Sequence, residues 1–296
     1  MLHLKNELLR LSVNPTGAEL SAITSVNHQT EFMWNGNPDV WNGIAPVLFP
    51  IVGGLKNNTF LHHGKTYQLP RHGFVRRNTS VEVHEITQDK LTFKLASGQE
   101  LLKSYPFQFE FYTSFQLKEN TIIVSHNVKN TDHQDMYFSL GAHPAFKCPV
   151  YPNETYSDYH LEFEFEEHSK THLLDPESGL LNNQTELVLN NTSKLPLNYH
   201  LFDKDALIFK DLKSKKVTLT SKNKGPLLSV SYQDFPYLGI WAKPNADYVC
   251  IEPWLGVADN VNSNQLLKDK EAIIKLAPNK SFEAHYTITV ENSLLV

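Results

Sequence analysis

Alternation of apolar and polar residues with a period of two dominates this sequence and most constrains its fold. Segments 107–117 and 121–128 both alternate, and the polar residues 118–120 between them are typical of a tight turn. The run 161–166 alternates apolar residues with three glutamates, which predicts a strand with one apolar and one carboxylate face. Such runs, separated by turn residues, predict an antiparallel all-β domain.

Runs of the same kind continue to the end of the sequence, whereas helical periodicity is scarce. Further strands are predicted at 217–220, 227–232, 237–242, 248–254 and 285–290. Helices of one or two turns are predicted at 99–103 and 264–268. The segment 171–196 is polar and rich in Asn, which predicts a long excursion rather than a domain boundary. Because the sequence contains no linker and no internal repeat, residues 1–296 are predicted to form one domain.

Composition and charge exclude several classes of function. The chain has 296 residues and a net charge of −5, so the clustered cations that a nucleic-acid partner requires are not expected. No apolar run approaches the ~20 residues of a membrane span, and the first residues lack a signal-peptide pattern, so a cytoplasmic protein is expected. Cys148 and Cys250 are too far apart for a CxxC motif, and neither a metal nor another cofactor is expected.

Aromatic residues and arginines suggest a surface that binds sugars. Three of the four arginines, Arg71, Arg76 and Arg77, lie between positions 71 and 77. A pyranose presents C–H faces that pack on aromatic rings and hydroxyls that hydrogen-bond to polar groups. Core packing of each tryptophan and a solvated turn for the arginines remain the alternative interpretations. The four tryptophans are Trp34, Trp41, Trp241 and Trp254.

Three short segments each embed a titratable residue among apolar neighbours, beside Gly or Pro. These residues are His72, His143 and Glu252. Burial of Glu252 between Ile251 and Trp254 should raise its pKa toward a value useful for proton transfer near neutral pH. For His143 taken alone, a buried histidine bonded to the backbone is the alternative. The segments are 69–74, 140–146 and 250–254.

The motifs in their order along the chain resemble those of the aldose 1-epimerase (galactose mutarotase) family, in its LacX-type branch. The resemblance runs nearly end to end. It implies an all-β, galactose mutarotase-like antiparallel β-supersandwich, in agreement with the alternation, and a small-molecule sugar as the partner. The matching segments are 41–50, 67–74, 141–146, 239–244 and 251–256.

The resemblance also implies an acid/base reaction that interconverts the α and β anomers of an aldose. In this family a glutamate is the base and a histidine the acid, and these roles fall on Glu252 and His143. The family's other histidine matches His72, which should bind the sugar and stabilise charge on its ring oxygen. A family aspartate that holds sugar hydroxyls falls near Asp205. Neither a metal nor a nucleotide is required.

Four more residues are candidates for sugar binding, and two departures from the family pattern concern charge. Segment 52–57 lacks the arginine of the better-known galactose mutarotases, and Arg71 is the nearest candidate to replace it. Asn42 stands where the hexose-6-phosphate branch has a phosphate-clamping arginine, which favours an unphosphorylated sugar. The four candidates are Arg71, Phe74, Trp241 and Lys243.

Four hypotheses follow. The leading one is an aldose 1-epimerase acting on a free aldohexose. The alternatives are a hexose-6-phosphate mutarotase, a non-catalytic carbohydrate-binding or sensing protein, and a metal-dependent β-barrel enzyme with histidine ligands. The presence of both proton-transfer residues favours an enzyme, whereas the near absence of histidine pairs with ligand spacing disfavours the metal-dependent one. The oligomeric state stays open, with a homodimer among the options.

Overall fold

The computed structural model describes residues 1–296 and consists almost entirely of antiparallel strands. The strands are β1 Leu2–Lys5, β2 Leu9–Asn14, β3 Glu19–Ser25, β4 Val47–Leu48, β5 Thr59–His62, β6 Lys65–Gln68, β7 Glu82–Ile86, β8 Lys90–Ala96, β9 Phe109–Lys118, β10 Thr121–Asn130, β11 Met136–Phe138, β12 Gly141–Ala142, β13 Ala145–Lys147, β14 Tyr159–Leu174, β15 Leu181–Pro196, β16 Leu207–Phe209, β17 Lys216–Ser221, β18 Gly225–Ser231, β19 Tyr237–Trp241, β20 Tyr248–Trp254, β21 Ile274–Leu276 and β22 Ser281–Val290. The one α-helix, α1, spans Gln99–Ser104, and 3-10 turns lie at Thr16–Ala18, Lys56–Asn58, Val75–Arg77, Tyr156–Asp158, Leu267–Asp269 and Asn292–Leu294.

The larger of the two main sheets has nine strands in the order β15-β14-β17-β18-β22-β10-β9-β8-β7. Strands β9 and β10 form the predicted hairpin, in which Lys118 pairs with Thr121. Alternate residues of β9, beginning with Phe109 and Phe111, are buried, as the period-two pattern predicts. A strand alternates in this way because successive side chains point to opposite faces of the sheet.

The second main sheet carries the residues of the candidate site. Its order is β16-β19-β20-β12-β4, and β13 also pairs with β20. Every residue of β20 is buried. Side chains from both main sheets belong to one core cluster of 73 buried residues. This shared core supports our proposal that residues 1–296 form a single domain.

The segment 171–196, predicted as a long excursion, has a regular structure that the sequence pattern does not indicate. It forms most of a long hairpin made by β14 and β15, which have 16 residues each. This hairpin forms one edge of the nine-stranded sheet. Most side chains of β15 are exposed, so backbone pairing organises the strand without an apolar pattern that the sequence could reveal.

Two smaller predictions also need correction. Phe165, assigned to the apolar face of 161–166, is 52% exposed, because the pairing register shifts between Glu162 and Glu167 and interrupts the alternation. The predicted helix at 264–268 is a 3-10 turn at Leu267–Asp269. The helix predicted at 99–103 is confirmed as α1. No helix in the structure has the length and apolar character needed to span a membrane.

A buried histidine lies in the middle of the nine-stranded sheet. His126 of β10 is 0% exposed, its Nδ1 lies 3.2 Å from the Thr113 hydroxyl, and its Nε2 has no partner. Burial lowers the pKa of this imidazole from 6.5 to about 4. The folded protein therefore holds His126 neutral, whereas the unfolded chain binds a proton there below about pH 6.5.

We expect the free energy of unfolding to decrease as the pH falls from about 6.5 to 4, because the unfolded state takes up a proton that the folded state excludes. His126 should contribute about 2 kcal/mol to the difference between about pH 7 and 4.5. His126→Phe, which keeps a ring beside Phe111 and Tyr286, should lose that contribution in urea titrations at the two pH values. An unchanged difference in the variant would contradict this assignment.

Candidate active site

A cavity of about 240 Å³ opens above the central strands of the six-stranded sheet. Its walls come from β19 and β20, from the segment after β12, and from the tip of the β14–β15 hairpin. Six of the eight residues predicted to act on or bind a sugar line it. They are Arg71, His72, His143, Asp205, Trp241 and Glu252.

Strand register brings His143 to Glu252. In β20, Trp254 pairs with Gly141 of β12 and Cys250 pairs with Ala145 of β13. Glu252 lies midway between the two paired residues of β20 and therefore faces His143, which lies midway between β12 and β13. His143 Nε2 lies 3.2 Å from Glu252 Oε2, without the alignment of a hydrogen bond. His143 is 8% exposed and Glu252 is 1% exposed, so both groups lie at the bottom of the cavity.

Burial shifts the pKa values of this pair in opposite directions. The pKa of Glu252 is raised well above 4.5, chiefly by burial and also by the Asp205 carboxylate, against the lowering effect of the Trp254 indole. The pKa of His143 is lowered to about 3, again chiefly by burial. Two neutral groups in contact can exchange one proton, so the pair holds a single proton over a broad pH range.

His72 is held as a neutral hydrogen-bond donor. The backbone N–H of Gly53 donates to His72 Nδ1 over 3.2 Å, which leaves the proton of the neutral ring on Nε2. Burial lowers the pKa of His72 well below 6.5, and the neighbouring His143 and Arg76 add to this effect. His72 and Gly73 both have positive φ, at 66° and 71°.

Gly73 is required at its position by both conformation and space. A Cβ there would lie 2.1 Å from the carbonyl oxygen of Phe49. The left-handed backbone at this point turns the His72 ring toward the cavity that it lines.

Aromatic rings form one wall of the cavity around His143. Trp41 stacks on His143 with centroids 5.0 Å apart, and Trp241 meets the same imidazole edge-on at 5.7 Å. The two indoles lie 5.5 Å apart. These flat surfaces provide the apolar contacts that the C–H face of a pyranose requires.

Two arginines, Arg71 and Arg76, also line the cavity. Arg71 Nη2 donates to the carbonyl oxygens of Ser178 and Gly179 over 3.4 and 3.3 Å, at the tip of the β14–β15 hairpin. Arg76 is half-buried, and burial lowers its pKa while the Glu19 carboxylate opposes the decrease. The hairpin within the predicted long excursion therefore positions Arg71.

A profile of the family described as "Aldose 1-epimerase" matches residues 1–288. The chain belongs to the aldose 1-epimerase family. The plasmid and chromosomal LacX proteins of Lactococcus lactis subsp. lactis are 35% identical to it over 299 aligned residues, which cover 98% of this chain and 99% of each relative.

Solved structures of this family have the same fold. A galactose mutarotase related enzyme from Lactobacillus acidophilus superposes with a TM-score of 0.92 at 35% identity, over 98% of this chain and 97% of the other. A galactose mutarotase-like protein from Lactobacillus casei ATCC 334 gives 0.91 at 26% identity, over 98% and 100%. The predicted all-β fold is confirmed, and the protein is an isomerase of the aldose 1-epimerase type with a sugar as its substrate.

Two residues predicted to bind sugar lie outside the cavity of this epimerase. The ring of Phe74 packs in the core against Phe49 and Phe109. Lys243 Nζ donates to the carbonyl oxygen of Val40 over 2.8 Å. Phe74 follows Gly73 in a turn that points its ring inward, and Lys243 lies beyond the end of β19. Neither side chain lines the cavity, so a role for them in sugar binding stays a prediction.

The cavity also contains residues that were not among the predicted site residues. Arg76, from the arginine cluster at 71–77, and two of the four tryptophans, Trp41 and Trp254, line it. Leu174 and Gly179 come from the hairpin. No sequence signal identified these last two, because the hairpin itself was not predicted.

One group of buried side chains at this site could offer ligand atoms to a metal ion. Potential ligand atoms of His143, Cys250 and Glu252 all lie within 4.8 Å of one another. Burial, with Glu252, raises the pKa of the Cys250 thiol well above 9. This disfavours the thiolate that metal binding requires. A metal-free site stays a prediction.

Proposed function

We propose that this protein interconverts the α and β anomers of a free aldohexose, with Glu252 as the base and His143 as the acid. The observation that carries the proposal is the contact of these two side chains at 3.2 Å, at the bottom of a cavity whose other walls are aromatic and polar. A glutamate and a histidine that share one proton supply both an acceptor and a donor without a cofactor.

The reaction follows from this arrangement. With the shared proton on His143, Glu252 is ionised and removes the proton from the anomeric O1–H, while His143 protonates the ring oxygen. The C1–O5 bond breaks and the C1–O1 bond becomes a carbonyl, which gives the open-chain aldehyde. Rotation about C1–C2 exposes the other carbonyl face, and the reverse proton transfers close the ring. The pair then holds the same single proton as at the start.

The remaining side chains of the cavity hold the sugar for this reaction. The Nε2–H of neutral His72 can donate to the ring oxygen or a neighbouring hydroxyl and stabilise negative charge there. Asp205 can accept hydrogen bonds from hydroxyls, and the indoles of Trp41 and Trp241 can cover the C–H face of the ring. Each of these interactions positions the sugar without adding a covalent step.

Polarimetry tests this function. Freshly dissolved α-galactose and α-glucose should approach their normal equilibrium rotation faster with the protein than in buffer alone, in proportion to protein concentration. An equilibrium rotation different from that of buffer would indicate a different isomerisation. No acceleration with any aldohexose would contradict the proposal.

A hexose 6-phosphate is the second candidate substrate, and one observation favours it. Arg71 and Arg76 line both the active-site cavity and an adjoining cavity of about 740 Å³ that also contains Lys103. However, Lys103 Nζ already pairs with Glu100 at 2.6 Å, and Arg71 already donates to two carbonyl oxygens. Because these cations are partly satisfied within the protein, we propose the free sugar.

Arg71→Ala should distinguish the two substrates. If Arg71 contacts neutral hydroxyls, the variant should bind galactose and galactose 6-phosphate more weakly by similar factors. A phosphate clamp would instead cost the 6-phosphate about 10–150-fold more, the equivalent of a charge-assisted hydrogen bond. Calorimetry at two salt concentrations measures both effects, with Arg10→Ala, at an exposed position of β2, as the control. A salt-sensitive preference of the wild type for the 6-phosphate would contradict the free-sugar proposal.

A further inference from the structure

A second cavity continues from the active site along the tip of the β14–β15 hairpin, where β14 ends and β15 begins. It has a volume of about 680 Å³ and shares Leu174, Asp205 and Trp241 with the active-site cavity. Its outer walls come from the hairpin strands and from the turn at 202–205. We call this second cavity the groove. Its shared residues make it an extension of the active site rather than a separate surface.

The side chains of the groove suit a sugar. Trp241, Phe202 and Pro244 supply apolar surfaces, and the amides of Asn182 and Gln184 supply both donors and acceptors. Neutral hydroxyl-rich rings require this mixture of flat apolar and uncharged polar groups.

Charges in the groove are largely paired, which argues against an anionic occupant. Lys204 Nζ lies 2.7 Å from Glu186 Oε2. Asp203 lies 3.0 Å from His200 Nδ1. These pairs leave the groove without a cluster of free cations, so a neutral ligand fits it better than a phosphate.

The chemistry of the active site sets the direction in which a ligand extends. O1 and the ring oxygen must face Glu252 and His143. A substituent can therefore extend only from the side of the sugar ring that points away from these two residues, here called the far side. The groove opens from the cavity at Asp205 and Trp241. We propose that it binds a second pyranose joined through the far-side hydroxyls, so that the preferred substrate is a reducing disaccharide. This inference rests on the proposed function.

Matched sugar pairs test the groove. Maltose is compared with glucose, and 4-linked galactobiose with galactose, so each pair shares the reacting ring. Anomer exchange is followed by polarimetry and NMR. We expect kcat/KM to be about tenfold higher for the disaccharide, mainly through a lower KM, since two or three net hydrogen bonds and one stacking contact supply at least that factor.

Variants in the groove separate its role from that of the active site. Gln184→Ala should lower kcat/KM for the disaccharide roughly 2–10-fold, the contribution of one net hydrogen bond, and leave the monosaccharide unchanged. Gln184→Trp, which fills the groove, should remove the preference for the disaccharide. Asn190→Ala, an exposed change on the same strand outside the groove, is the control.

The outcomes keep the two proposals distinct. Absence of catalysis with every sugar would overturn the proposed function, and the groove proposal with it. Catalysis of monosaccharides with no preference for disaccharides would overturn the groove proposal alone. Equal effects of Gln184→Ala on the disaccharide and on its matched monosaccharide would also overturn the groove proposal. A subsite for the second ring cannot affect a sugar that has only one ring.

Discussion

Replacing Glu252 with Gln should reduce kcat for anomer exchange by about 10²–10⁴-fold, the typical contribution of general base catalysis. The amide matches the carboxylate in shape but cannot accept the O1 proton. Because Glu252 is buried and its pKa is raised, the uncharged amide should not cost folding stability. Polarimetry with galactose measures the rate, and thermal unfolding checks the fold.

Glu166→Gln provides the matched control, since this carboxylate is exposed on β14. It should leave the rate unchanged. Near-wild-type activity of Glu252→Gln, with its fold intact, would show that another group removes the proton and would end the assignment of Glu252 as base.

Replacing His143 with Asn should lower kcat by a similar factor of about 10²–10⁴ while leaving sugar binding measurable. Asn can still hydrogen-bond to a sugar but cannot donate a proton from a cationic form. Binding can be followed by calorimetry and by tryptophan fluorescence, because Trp41 stacks on this imidazole. His168→Asn, at an exposed position of β14, is the control.

Weaker binding with unchanged turnover would change the role of His143. If His143→Asn binds sugar much more weakly, yet each bound sugar reacts at the wild-type rate, His143 is a binding group and the acid must be found elsewhere. Among the neighbouring groups, His72 would be the next candidate, since its Nε2–H is available to a ligand.

The strands that could be predicted from the sequence are those with one buried face and one more exposed face. Strands β9 and β10 alternate because one face packs in the core and the other does not. The β14–β15 hairpin could not be predicted in full, because hydrogen bonds along the backbone and register shifts hold it together while most side chains of β15 are exposed. Phe165 was misassigned for the same reason.

The candidate site could be predicted where the chemistry and backbone constraints lie in one segment. His72 precedes Gly73, a position with no room for a Cβ atom. Glu252 lies in a strand that is buried along its whole length. Contributions from distant segments could not be predicted. Gly179 reaches the cavity only through the hairpin tip, and nothing local indicates that Lys243 ends on the carbonyl of Val40.

The pH dependence of kcat/KM for galactose tests the central claim, that Glu252 and His143 work with one shared proton. Burial raises the pKa of Glu252 well above 4.5 and lowers the pKa of His143 to about 3, so the one-proton state should persist over a broad range. Above the upper pKa of the pair the acid is lost, and below the lower pKa the base is lost. We predict a plateau that falls on the alkaline side as the shared proton dissociates. A rate that keeps rising in proportion to hydroxide concentration would contradict the account, because it would require a base and no acid.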